Sequence, residues 1–129
     1  MALDPNVEQH LSALASFKDW SNYMLVTTVA ALGWIASTSS PAIAPDCVRW
    51  VVVCLGASTL FAVFTLALIP IVAEGITKDT KSIYDVNAEF DLIFIFGPRI
   101  EFALKWVCWP QHLFFLAGIA IYTVARALA

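Results

Sequence analysis

Charge is what this 129-residue chain has least of: Asp, Glu, Lys and Arg make up 13% of it, against about 25% in an ordinary soluble domain. Hydrophobic residues take their place at 60%. A globule of this size has too little interior to hide that much apolar surface from water. Bases are scarcer still, seven against ten acids, and nowhere do they cluster. That removes the electrostatic footprint a nucleic acid needs. Cysteine is sparse, and Cys47, Cys54 and Cys108 show no CxxC spacing. Cys47 and Cys54 stand seven apart on one expected helix, about 10 Å by helical rise, too far for a disulfide. The sequence also lacks a glycine-rich nucleotide loop, a nucleophile beside a base and a metal cage. The expectation is therefore a non-enzymatic protein with no cofactor and no bound nucleic acid.

The few charges fall in a pattern. Three windows, Trp20 to Pro45, Trp50 to Ala73 and Trp106 to Ala125, contain none. Each holds the roughly 20 residues a helix needs to cross a hydrocarbon core of about 30 Å. In lipid, backbone amides bond only within the chain, so such windows must be helical. The expected fold is an all-α integral membrane protein forming a single membrane domain over 1–129, with three transmembrane helices near 21–39, 48–73 and 107–128. A leader helix over 4–19 and a cytoplasmic loop over 74–106 complete it. Ala42-Ile43-Ala44 resembles a signal-peptidase site, but Pro45 follows directly and the leader carries Asp4, Glu8 and Asp19. The first span therefore reads as an uncleaved anchor.

With three spans, the N-terminus and the long loop share one side. Lys18, Lys78, Lys81, Arg99 and Lys105 lie there, against Arg49 and Arg126 on the other. The positive-inside bias places the N-terminus in the cytoplasm and the C-terminus outside. Short loops and the lack of a glycosylation sequon favour a bacterial inner membrane. Asp4-Pro5 is a helix start, and Val7, Leu11, Leu14 and Lys18 then share a stripe with Phe17 beside it. The segment reads as an amphipathic helix on the membrane surface or against a partner; the alternative is a leader that extends the first span. In the long loop, Leu92 to Phe96 is apolar but too short to span. It is expected to lie in the interface, or to re-enter the membrane. Pro98 is expected to open a helix running through Ile100, Phe102 and Leu104 into the third span. Pro70 and Pro110 are expected to bend the second and third spans.

Residues able to carry chemistry are few. His112 is the titratable group of the third span and a candidate haem or pigment ligand, although a b-type haem takes two axial ligands. Glu74 ends the second span, as a carboxylate at a cytoplasmic mouth or as a plain interfacial charge. Asp85, Glu89 and Asp91 form an acidic run without the spacing of a calcium loop. Glu101 and Lys105 are spaced for a surface ion pair on a helix. Small and hydroxyl residues, among them Thr27, Gly33, Ser58, Thr65 and Gly118, are candidates for helix packing or for lining a pore. The leading expectation is a small multi-pass membrane subunit that assembles in the lipid bilayer as a homo-oligomer or within a larger membrane complex. The alternatives are a homo-oligomeric channel or permeation pore, and a redox subunit holding haem or pigment at His112.

Overall fold

Asp4 starts the first helix as its position suggests: its Oδ1 accepts the Asn6 amide at 2.9 Å, and its carbonyl accepts the Glu8 amide at 3.0 Å. In the computed structural model, which describes residues 4–37, 43–90 and 100–128, that helix, α1, runs unbroken over Pro5–Ser37, 33 residues. At 1.5 Å per residue this is about 50 Å. The leader and the first expected span are thus one helix. No glycine or proline lies between Pro5 and Gly33 to divide them. The amphipathic stripe does not lie open to a membrane surface either. Leu14 and Phe17 are buried, with Val7 and Leu11 beside them, against Leu68, Ile69, Val72, Ile76, Ile83 and Leu104. Each large side chain so covered contributes about 1.5–3 kcal/mol, which explains why the stripe prefers its own chain.

Helix α2 spans Pro45–Glu74 and α3 spans Lys105–Ala127; they continue through Pro70 and Pro110. Pro45 fits the first turn of α2, where its missing amide costs nothing. At the other end Gly75 donates its amide to Ile71 and Val72 carbonyls at 3.2 and 3.1 Å. A Cβ on Gly75 would stand 2.9 Å from Val86 Cγ1, so the absence of a side chain lets Val86 pack closely over the end of α2.

The region before α3 departs from expectation. Ile100–Ala103 is a strand, β2, paired antiparallel with β1, Asn87–Phe90, in the register Asn87↔Ala103 to Phe90↔Ile100. Ile100, Glu101 and Phe102 alternate apolar and charged, which over so few positions suits a strand as well as a helix. The architecture remains one of three helices, with this short pair added in the connection between α2 and α3. Residues 91–99, which carry Asp91, the Leu92 to Phe96 run, Pro98 and Arg99, lie outside the described residues, as do 38–42 with Ala42.

Helix α2 lies between the other two. Gly118 of α3 packs on Leu55 of α2, and Phe61 stacks on Phe114 with centroids 5.8 Å apart, so these two helices run antiparallel. Trp20, midway along α1, meets His112, and Trp34, near the end of α1, meets Tyr122, so α1 and α3 run parallel. The N-terminus of α1 and the connection after α2 share an end: Asn6 Nδ2 donates to the Lys78 carbonyl at 2.7 Å, and His10 Nε2 lies 2.8 Å from the Thr80 carbonyl. One apolar cluster occupies that end, and a second, around Ile43, Val51 and Leu55, the opposite end. Buried polar side chains, Ser21, Thr28, Ser58, Thr65 and Gln111, are spread along the helices.

Two helices, α2 and α3, are long and apolar enough to cross a membrane. Only 33% and 17% of their most apolar stretches are buried within the chain. Helix α1, the expected first span, does not reach that apolarity; Ser21, Asn22, Tyr23, Thr27 and Thr28 dilute it.

Candidate functional site

One face of α3 carries Lys105, Cys108, His112 and Leu116 at the three- and four-residue spacings that stack side chains in a row. With Trp109 they form one wall of a groove of about 610 Å³, whose other walls are Phe17 and Trp20 of α1 and Tyr84 of the connection. Tyr84 sits in a single 3-10 turn, Ile83–Asp85, opened by Ser82, whose hydroxyl accepts the Tyr84 amide at 3.3 Å. Its ring meets Phe17 edge-on, at 5.8 Å and 85°. Lys105 Nζ lies 2.7 Å from Asp85 Oδ1, which ties the turn to the start of α3. Both partners are well exposed, so the pair contributes only about 0.2–1 kcal/mol. Glu101 belongs to β2 and not to a helix turn, so the helical spacing expected between it and Lys105 does not occur.

His112 is bonded at both ring nitrogens. The Trp20 indole, a donor only, gives its Nε1–H to His112 Nε2 at 3.2 Å. Nε2 therefore carries the lone pair, and Nδ1–H donates to the Cys108 carbonyl at 2.6 Å. These two bonds select one tautomer of the ring and join α1 to α3. A haem iron would have to displace Trp20 to reach Nε2, so the geometry assigns His112 a structural bond and gives no support to a ligand role.

The remaining sequence candidates do not converge. Thr27 is exposed on α1 and returns its hydroxyl to the Tyr23 carbonyl at 2.8 Å; Gly33 is exposed, with open space where a Cβ would stand. Ser58 is buried and donates across the helix seam to the Gln111 carbonyl at 2.9 Å. Thr65 is buried and bonded to the Phe61 carbonyl at 2.8 Å. Glu74 is exposed at the end of α2. A Cβ on Gly118 would lie 2.8 Å from Leu55 Cδ2, so this glycine sets how closely α3 approaches α2. Asp85 is drawn to Lys105, and no group of three potential metal ligands occurs among the described residues. Cys47, Cys54 and Cys108 are free thiols.

Sequence reasoning missed Gln111. It is 0% exposed, and neither atom of its amide has a hydrogen-bond partner among the described residues; the same holds for the buried Ser21 hydroxyl. A buried unpaired polar group costs about 1–3 kcal/mol. The available signal was that Gln111 is the one amide side chain in the Trp106 to Ala125 window.

Comparison with known proteins assigns no family: no family model matches the chain, and no curated protein or solved structure matches it significantly.

Proposed function

We propose that the chain is a non-enzymatic, multi-pass membrane subunit that assembles with copies of itself or with larger membrane partners. In this reading α2, α3 and the second half of α1 cross the bilayer. The N-terminus and the connection from Gly75 to Leu104 face the cytoplasm, in a bacterial inner membrane, and the C-terminus faces outside. The observation that carries the reading is the outward placement of the most apolar helices. Val52, Val53, Leu60, Val63 and Phe64 of α2, and Leu113, Leu116, Ile119 and Val124 of α3, are exposed. A soluble monomer does not present so continuous an apolar surface, whereas lipid solvates it without cost.

Support for assembly comes from α1. It is the helix least suited to lipid, yet Asn22, Tyr23 and Thr27 stand exposed on it and nothing lies within 4 Å of a Cβ built on Gly33. Small and polar residues on an exposed helix face favour another helix over lipid as their neighbour. Orientation is supported by Lys18, Lys78, Lys81 and Lys105 at the end that holds the N-terminus, against Arg49 and Arg126 at the other. A pore within one chain draws no support, since Ser58 and Thr65 spend their hydroxyls on helix carbonyls.

The test is extraction followed by a mass measurement. The protein should stay with washed membranes, need detergent for release, and in nanodiscs show a mass above that of one 14.1 kDa chain. Release into buffer would overturn the membrane reading. A lone chain in the nanodisc would overturn assembly, and ion flux through reconstituted liposomes would replace the subunit reading with a pore.

A further inference from the structure

We infer that the groove between α1, the Tyr84 turn and α3 binds one anionic phospholipid of the surrounding leaflet, with its phosphate at Lys105 and an acyl chain running toward Leu116. The inference rests on the membrane reading above and adds a ligand and a binding site to it.

Three observations converge on that occupant. The groove is amphipathic along its length: the Lys105 ammonium lies at one end, Trp20 and Trp109 stand along the walls, and Leu116 lies at the far end. Eleven helix positions separate Lys105 from Leu116, about 16 Å by helical rise, which matches half of a hydrocarbon core about 30 Å thick. The charged end also fits an anion. Lys105 spends one of its three donors on Asp85 and remains 44% exposed, leaving two donors for a phosphate. Finally, the walls suit a chain that passes from headgroup to hydrocarbon. Trp20 and Trp109 are 57% and 65% exposed, and the Trp20 N–H is already committed to His112. What Trp20 offers the groove is therefore apolar ring. Indoles settle at this depth of a bilayer because one part is apolar and the other polar. The volume, about 610 Å³, is that of a site for a small amphiphile or for one segment of a lipid.

The test counts lipids retained by the full-length chain. Protein reconstituted in vesicles of equal phosphatidylglycerol and phosphatidylcholine is taken into mild detergent, and bound lipid is counted by native mass spectrometry. The wild-type chain should keep phosphatidylglycerol over phosphatidylcholine by about fivefold, the worth of one lysine near an anionic headgroup. Lys105→Ala should abolish the preference. Asp85→Asn should raise it, because it frees the ammonium and removes a competing carboxylate. Both variants break the same ion pair, so a merely structural role for Lys105 would move them in the same direction. Leu116→Trp, which fills the far end of the groove, should lower retention of both lipids.

Equal retention of the two headgroups by the wild-type chain, or a shift of both ion-pair variants in one direction, overturns the lipid site. Retention of neither lipid by a chain that stays dispersed without detergent is a different result, and brings down the membrane reading itself. If a partner helix occupies the groove instead, headgroup preference is absent and Leu116→Trp lowers the assembled mass.

Discussion

At Gln111 an amide stands in the interior with nothing among the described residues to bond, directly before a histidine that is bonded twice. The two neighbours differ only in direction: position 111 faces into the bundle, where its carbonyl receives the Ser58 hydroxyl, and position 112 faces α1. Gln111→Met keeps the volume and removes the unpaired amide, so it should stabilise the fold by about 1–3 kcal/mol. Denaturation in a fixed detergent would measure this, and a loss of stability would mean the amide has a partner. Gly118 predicts the opposite sign. Gly118→Val drives a branched side chain into Leu55 and should destabilise by about 1–3 kcal/mol in the same assay. Full stability in that variant would show that α3 can withdraw from α2 freely. These residues were legible in unequal measure. Gly118 was readable as a packing position because small residues mark close helix approach. The bonds of His112 were not, since Trp20 is 92 positions away in the chain.

Among the elements, α2 was the most legible: the uncharged window from Trp50 to Ala73, closed by Glu74, leaves little choice but a helix, although the helix begins earlier, at Pro45. The start of α3 was not legible. Ile100 to Ala103 is four residues long, too short for periodicity to separate helix from strand, and what decides it is the partner strand at Asn87–Phe90. Helix α1 presents a third situation, in which two segments of different character, one amphipathic and one uncharged, share a single unbroken helix. Their junction is the place to test continuity. Asp19 is exposed, so its side chain contributes little, and Asp19→Pro acts on the backbone alone. A continuous helix should lose about 3 kcal/mol or more. Two helices meeting at that point would tolerate the proline, and stability unchanged from wild type would restore the two-element view.

Across the whole molecule, the arrangement of ends yields a topology prediction. The end of α3 lies opposite the Asn6–Lys78 and His10–Thr80 contacts. Leu128 is exposed. On the proposed orientation, Leu128→Cys in a chain stripped of its native thiols should react with a membrane-impermeant maleimide added outside sealed cells. A cysteine at Thr77, also exposed but in the connection, should react only after the cells are opened. The reverse pattern would invert the orientation while leaving the fold intact.

The amino-acid sequence by itself determined that α2 and α3 are long apolar helices, roughly where they lie and which end gathers the lysines. These follow from local quantities, the length of uncharged runs and the positions of prolines and charges. Only the tertiary structure decided which face of each helix is hidden, that the leader stripe packs on its own chain, that Ile100 to Ala103 pairs as a strand, and that Lys105 and His112 border a single groove. Those outcomes depend on partners brought together from distant positions, and the energy of a hydrogen bond or a packed methyl group exists only once both partners are in place.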